Sequence, residues 1–193
     1  MASRSSRSPA LVAFVLHRYD WSESSLILDL FTRERGRLAA AAKGARRPFS
    51  QLRSVLLPFQ RIQVSVGSLP ADENARDIEN LRSAEWMGGG AMLTGAALFN
   101  GFYLNELLMR LLARHDPHPA LFDAYSATIA SLGTDDAGSQ AALRGFEMVL
   151  LKEIGVLPDL AIETSTGRPV AAEERYRVLA DSGVVAAAGA TDS

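Results

Sequence analysis

The stretch LILDLFTRERGRLAAAAKG, residues 26–44, decides the architecture of the amino-terminal part of the chain. Leu26, Leu28 and Leu30 alternate with Ile27, Asp29 and Phe31. Successive side chains of a strand point to opposite faces, so this period of two marks a strand with two unlike sides. Thr32–Gly36 (TRERG) is a polar connection that ends in glycine and reads as a hairpin turn. Arg37–Lys43 then continue as a second strand of small residues, broken by Gly44 and Pro48. Upstream, Leu11–His17 is another short apolar run. Downstream, Ile62, Val64 and Val66 alternate with Arg61, Gln63 and Ser65. Gly67–Asp72 holds Gly, Ser, Pro and Asp and is a loop, and Ala75–Ala84 forms a last, weaker strand. Five short strands within about 80 residues predict a small barrel or sandwich.

Beyond Gly88-Gly89-Gly90, a flexible joint, the period changes. Phe99, Phe102, Tyr103, Leu107 and Leu111 recur at helical spacing, and Leu104, Leu108 and Leu112 fill a second face. A helix apolar nearly all round is expected to be central and buried, with Pro117 and Pro119 ending it. Leu121, Phe122, Tyr125, Ile129 and Leu132 form the next amphipathic helix, stopped by Gly133. Leu143, Phe146, Leu150, Leu151 and Ile154 form a third, closed by Gly155 with Pro158 beyond. Residues 159–193 are rich in Ala, Gly and Thr and show little periodicity. The chain therefore reads as a two-part α+β protein, an all-β module followed by an α module, with the boundary within residues 84–90.

Composition narrows the function classes. There is no cysteine, hence no disulfide, thiol nucleophile or Cys-based metal site. This fits a reducing cytoplasm. No apolar run approaches the roughly 20 residues of a membrane span, and the polar, basic start MASRSSRSPA lacks the apolar core of a signal peptide. His115 and His118 are separated by Pro117, which breaks the helix that a metal pair would need, so a loop cap is the better reading. Ser22, Ser24 and Ser25 have no His–Asp arrangement, and Gly88–Gly90 lacks the GxGxxG order of a nucleotide loop. Neither a catalytic residue nor a cofactor is indicated, and the chain is expected not to be an enzyme.

The net charge of −2 and pI near 5.9 argue against a nucleic-acid binder only by averaging. Residues 1–63 hold 11 Lys+Arg against 4 Asp+Glu, and the remainder holds 9 against 18. The densest charge lies at Arg33, Arg35, Arg37, Lys43, Arg46, Arg47 and Arg53, opposed within that segment by Glu34 alone. Strand alternation puts Arg37, Ala39, Ala41 and Lys43 on one face, where the small alanines would let a backbone approach. Phe49 lies between the Arg46–Arg47 pair and Arg53. Cations holding phosphates and rings stacking on bases make a nucleic-acid groove. The bland alternative is a solvated basic face. If Z phosphates are engaged, log K falls against log salt with slope of about −0.9Z on duplex and −0.7Z on single strands. Four to six cations would then give slopes of roughly −3 to −5.

At these residues a resemblance emerges. AFVLHRYDWSESSLILDLFTRERGRL and AAKGARRP (within residues 13–48) closely resemble the opening of bacterial RecO proteins. The likeness continues through LRSVLLPFQ (52–60), GFYLNELLMRLLARHDPHPALFDAY (101–125) and LRGFEMVLLKEIGVLPDL (143–160). It implies an OB-fold, a five-stranded barrel, over 10–84, after the polar, basic start over 1–9 that reads as a disordered tail. A helical domain over 85–193 would follow. It further implies a DNA repair and recombination mediator that binds single- and double-stranded DNA and anneals complementary strands without ATP. The partners implied are RecR and the C-terminal tail of single-strand binding protein, with RecA loaded indirectly. Some members of that family hold zinc with cysteines near the equivalent of Ala161–Gly167, where this chain has AIETSTG, so no zinc site is expected here. Members usually run further, so the α domain is expected to be short of its terminal helices.

Two more residues, Arg110 and Arg114, lie at i and i+4 near the end of the first long helix, where cations favour the dipole. They are candidates for clamping an acidic peptide tail, although a core helix is the stronger reading of Tyr103–Leu112. Asn105 and Glu106 interrupt that apolar surface, and would be buried and hydrogen-bonded or line a domain interface. The rival to a DNA mediator is a protein-interaction adaptor whose basic barrel binds an acidic protein partner.

Overall fold

The structure is a computed structural model and describes residues 9–67, 77–89, 92–132 and 136–187. The readings of a tail over 1–8, of the loop at 68–72, of Gly90 and of Gly133 lie outside these residues. The chain divides into two compact units, Met1–Phe146 and Glu147–Ser193.

In the first unit five strands close into a barrel in the order β1-β2-β3-β5-β4. They are β1 (Leu11–Asp20), β2 (Leu26–Thr32), β3 (Gly36–Ala42), β4 (Arg61–Gly67) and β5 (Ile78–Trp86), with a short helical turn α1 (Leu52–Val55) before β4. All pairings are antiparallel except β3 with β5. This is the OB-fold order. The alternation in residues 26–31 does what period two requires: Leu26, Leu28 and Leu30 enter the barrel core with Leu38, Ala40, Ala42, Ile62, Val64 and Val66. The other face of β2 is not solvated. Asp29 and Phe31 are buried as well, Phe31 packing against Phe122 and Tyr125.

Those two aromatics belong to one of the helices laid on the barrel. Helix α2 (Gly95–Leu111) is followed by α3 (Pro119–Ser131) and α4 (Asp136–Glu153), which runs across the division into the second unit. Helices α2 and α3 fall in the same compact unit as the barrel. Among the described residues no helix is long and apolar enough to cross a membrane.

Two expectations for α2 are corrected. It is not buried all round: Gly101, Leu104, Asn105 and Leu108 are covered, whereas Phe99, Phe102, Tyr103 and Leu111 are exposed. One stripe meets the barrel, and the second apolar face does not. Nor do the prolines end it. The helix stops at Leu111, and Leu112 is already extended, because the chain there turns to run beside β3: His115 N–H donates to Arg37 C=O at 2.8 Å. Gly36 allows that approach. Its φ is +67°, and a Cβ there would lie 1.9 Å from the carbonyl oxygen of Asp116. The glycine that ends TRERG therefore serves both the turn and the contact.

Asn105 is buried and satisfied on both ends. Its Nδ2 donates to Leu16 C=O of β1 at 2.9 Å, and its Oδ1 accepts from the Tyr125 hydroxyl. Burial pushes the Tyr125 phenol well above its usual range, so it stays protonated and a donor. Glu106, by contrast, faces solvent and pairs with Arg110 at 2.7 Å.

In the second unit α4 ends at a glycine in the left-handed region, Gly155, with Val156 N–H returning to Leu151 C=O. The unpatterned stretch then forms a two-stranded antiparallel hairpin, β6 (Tyr176–Leu179) and β7 (Gly183–Ala186), an addition to the helices expected there. It was invisible to periodicity because each strand has four residues.

Removing one member of the Asn105–Tyr125–Leu16 chain leaves a buried polar group unpaired, which costs about 1–3 kcal/mol. Asn105→Leu and Tyr125→Phe should each lower denaturant-unfolding stability by about that much. The double variant should lose less than the sum, because the two share one hydrogen bond.

Candidate nucleic-acid interface

The seven cations expected to form one groove are divided between two ends of the barrel. Register defines the ends. Asp20, Leu26 and Ala42 are neighbours at one end, and Ala13, Thr32 and Gly36 at the other. Strand β3, seven residues long, separates Arg35 from Lys43, roughly 23 Å at 3.3 Å each.

At the hairpin end Arg33 and Arg35 each meet a carboxylate. Arg33 donates from Nε and Nη2 to both oxygens of Asp123 on α3, at 3.0 and 2.9 Å. That bidentate bond raises the guanidinium's pKa and holds the Asp123 carboxyl below its ordinary range. A lowered carboxylate pKa means the pair's contribution is present above the ordinary aspartate range. It is lost as pH falls through the lowered value. Arg35 is bidentate to Glu79 of β5, at 2.9 Å for Nη1.

Arg37 is drawn inward. Its Nε and Nη2 donate to the two oxygens of Asp29, at 2.8 and 3.1 Å, and Nη1 donates to the carbonyls of Met109 and Leu112. Asp29 is 2% exposed. Arg114 lies beyond α2 with a guanidinium nitrogen 3.8 Å from the same carboxylate. The expected open face of β3 is therefore corrected: Ala39 and Ala41 are 2% and 0% exposed. Both faces of this strand are buried, one of them in the barrel core, and its edge at Arg37 is paired by the chain that follows α2. The alanines are small because the strand is covered.

At the other end, the β1–β2 loop meets the segment after β3. Trp21 and Ser22 N–H both donate to Ser25 C=O, closing a tight turn. Arg46 joins the two loops: its N–H donates to Ser24 C=O at 3.0 Å, its Nη1 to Ser22 C=O at 3.0 Å, and its guanidinium lies 3.2 Å from Asp20. Arg46 is thus a positioning residue as well as a cation. Lys43, Arg47 and Arg53 are exposed, and among the described residues no carboxylate holds them. Two depressions result. One, of about 390 Å³, is lined by Arg18, Arg46 and Arg53 together with Asp20, Leu26, Ala45 and Leu56. The other, of about 340 Å³, is lined by Trp21, Lys43, Arg47 and the loop serines. Phe49 is 99% exposed on the same connection.

Arg18 and Trp21 escaped the sequence reading. Their signal was the cation–aromatic pair HRYDW at the end of β1, separated from the basic segment by a whole strand.

In the second unit the segment Ala161–Gly167 is a hydrogen-bonded turn. The Glu163 carboxylate accepts from the hydroxyls of Thr166 and Ser165, chiefly the former, and is held below its ordinary range. Thr164 Oγ1 accepts from Val184 N–H of β7 at 2.9 Å. Hydroxyls and one carboxylate are not a zinc donor set. Among the described residues no three His, Cys, Asp or Glu gather as a metal site.

A closed five-stranded barrel in the OB order, with cations gathered on two loops at one end and helices following it, defines the class of the fold. Similarity to known sequences narrows the class. Residues 10–89 match the family described as Recombination protein O N terminal, and residues 92–183 match Recombination protein O C terminal. DNA repair protein RecO of Variovorax paradoxus is 52% identical over 192 residues, which is 97% of this chain and 71% of that protein. The RecO proteins of Polaromonas naphthalenivorans and Verminephrobacter eiseniae are each 54% identical, over 89% and 92% of this chain and 67% and 70% of theirs. The chain belongs to the RecO family.

Breaking a buried ion pair by removing one partner costs about 3–5 kcal/mol. Arg37→Ala should therefore lower unfolding stability on that scale, about as much as Asp29→Ala, while Lys43→Ala and Arg47→Ala change it by less than about 0.5 kcal/mol. Chemical denaturation of the four variants checks this.

Proposed function

We propose that this chain is a non-catalytic DNA repair and recombination mediator whose barrel binds DNA through Lys43, Arg46, Arg47 and Arg53. The observation that carries the reading is the division of the basic segment. Arg33, Arg35 and Arg37 stay with their carboxylates, while the cations after β3 stand exposed around two depressions at one barrel end. Membership of the RecO family, whose relatives carry the name DNA repair protein, supplies the biological process.

Binding is to the phosphate backbone, so it carries little sequence preference. Two complementary strands on one cationic surface lose part of their mutual repulsion, and annealing follows without ATP. Family membership also supports the wider role of assisting RecA loading, together with RecR, on DNA coated by single-strand binding protein. In that role Arg110 and Arg114 would meet the acidic C-terminal tail of the coating protein. Arg110 would exchange its Glu106 partner for a carboxylate of the tail.

Salt titration of a labelled single-stranded oligonucleotide tests the DNA reading. Four engaged cations give a slope of roughly −3 in log K against log salt. Replacing Lys43, Arg47 and Arg53 together by Ala should reduce it to roughly −1 and weaken binding at low salt. An unchanged slope in the triple variant contradicts the assignment, and binding of acidic proteins with no DNA affinity favours the adaptor.

A further inference from the structure

We propose that Trp21 is the stacking site for one unpaired base of a single strand, with Lys43 and Arg47 holding the phosphates beside it. This rests on the DNA-binding reading above and narrows it to single-stranded nucleic acid.

An exposed tryptophan alone is ordinary. Three features set this one apart. Trp21 is 53% exposed and lines a shallow, open depression. The depression, about 340 Å³, falls within the range of small-ligand clefts. The remaining wall is formed by Lys43, Gly44, Arg47 and the loop serines, and most of the surface it presents is apolar, which suits the face of a base, while Lys43 and Arg47 supply charge for its phosphates. Finally, the backbone beneath the ring is fixed. Trp21 and Ser22 N–H are tied to Ser25 C=O, and Arg46 ties Ser22 and Ser24 to the loop that carries Lys43 and Arg47. Ring and cations are therefore held in one frame before any ligand arrives, which lowers the ordering cost of binding.

The neighbouring aromatics are less suited. Tyr19 already lies against His17, with ring centroids 4.4 Å apart. Phe49 is exposed on a connection and lines neither depression. Trp21 has no aromatic partner among the described residues. A base paired inside a duplex offers no free π-face, whereas every unpaired base does. Cations alone do not distinguish the two forms strongly, so the indole is what would confer preference for single strands.

The test uses the full chain with Trp21→Ala, Trp21→Phe and Phe49→Ala. Anisotropy titrations use an oligothymidine and a duplex of equal length, and melting curves confirm that the variants fold. Trp21→Ala should weaken oligothymidine binding roughly fivefold to a hundredfold, the range for loss of one stacked base. Its salt slope and duplex affinity should stay unchanged. Trp21→Phe should retain most of the affinity, and Phe49→Ala should remain near the unmodified chain. In a Trp86→Phe background, oligothymidine should quench the remaining indole emission. Equal loss on single strands and duplex, or no loss on either, overturns the stacking site while leaving salt-dependent binding intact. If the unmodified chain binds neither oligonucleotide, the DNA reading falls and the stacking site with it.

Discussion

The fold of the larger unit turns on one largely covered guanidinium. Arg37 and Asp29 lie diagonally across the β2–β3 pair on its outer face, Arg37 opposite Phe31 and Asp29 opposite Ala39. A carboxylate with so little exposure needs a full set of donors, and Arg37 supplies two of them. Its remaining nitrogen reaches the carbonyls of Met109 and Leu112, where α2 leaves unsatisfied acceptors and a partial negative charge. One side chain thus neutralises a buried acid and caps the helix laid over it. Its own carbonyl receives His115, so side chain and backbone both fix where the helical layer meets the barrel.

That constraint determines what is left for binding. The hairpin end of the barrel gives its positive charge to Asp29, Glu79 and Asp123, and holds strands and helices together with it. The opposite end carries no comparable internal demand. There Arg46 is shared between loop geometry and solvent, while Lys43, Arg47 and Arg53 stand outward. A net positive segment of sequence has been divided by the fold into mortar and surface.

Much of the barrel was legible beforehand because its strands obey period two on the inward side, as at Leu26, Leu28 and Leu30. The outward side misled. Asp29 and Phe31 look like a solvent face, yet Phe31 is buried against α3 and Asp29 is held by Arg37 near the end of α2. Arg33 and Arg37 look alike on paper because Asp123 is 90 residues from Arg33 and Met109 is 72 from Arg37. No local pattern carries pairings at such separations. The cluster Lys43–Arg53 was readable as a concentration of charge. Trp21 was not, since it joins that cluster only through the register that brings Asp20, Leu26 and Ala42 to the same end.

Hydrogen exchange of the chain with and without a single-stranded oligonucleotide is the most direct measurement of the central claim, that the fold reserves one end of the barrel for nucleic acid. The account predicts added protection of amides in Trp21–Ser25 and Lys43–Arg53, with Arg33–Arg37 unchanged. Protection centred on Arg33–Arg37, with the two loops unaffected, would contradict it.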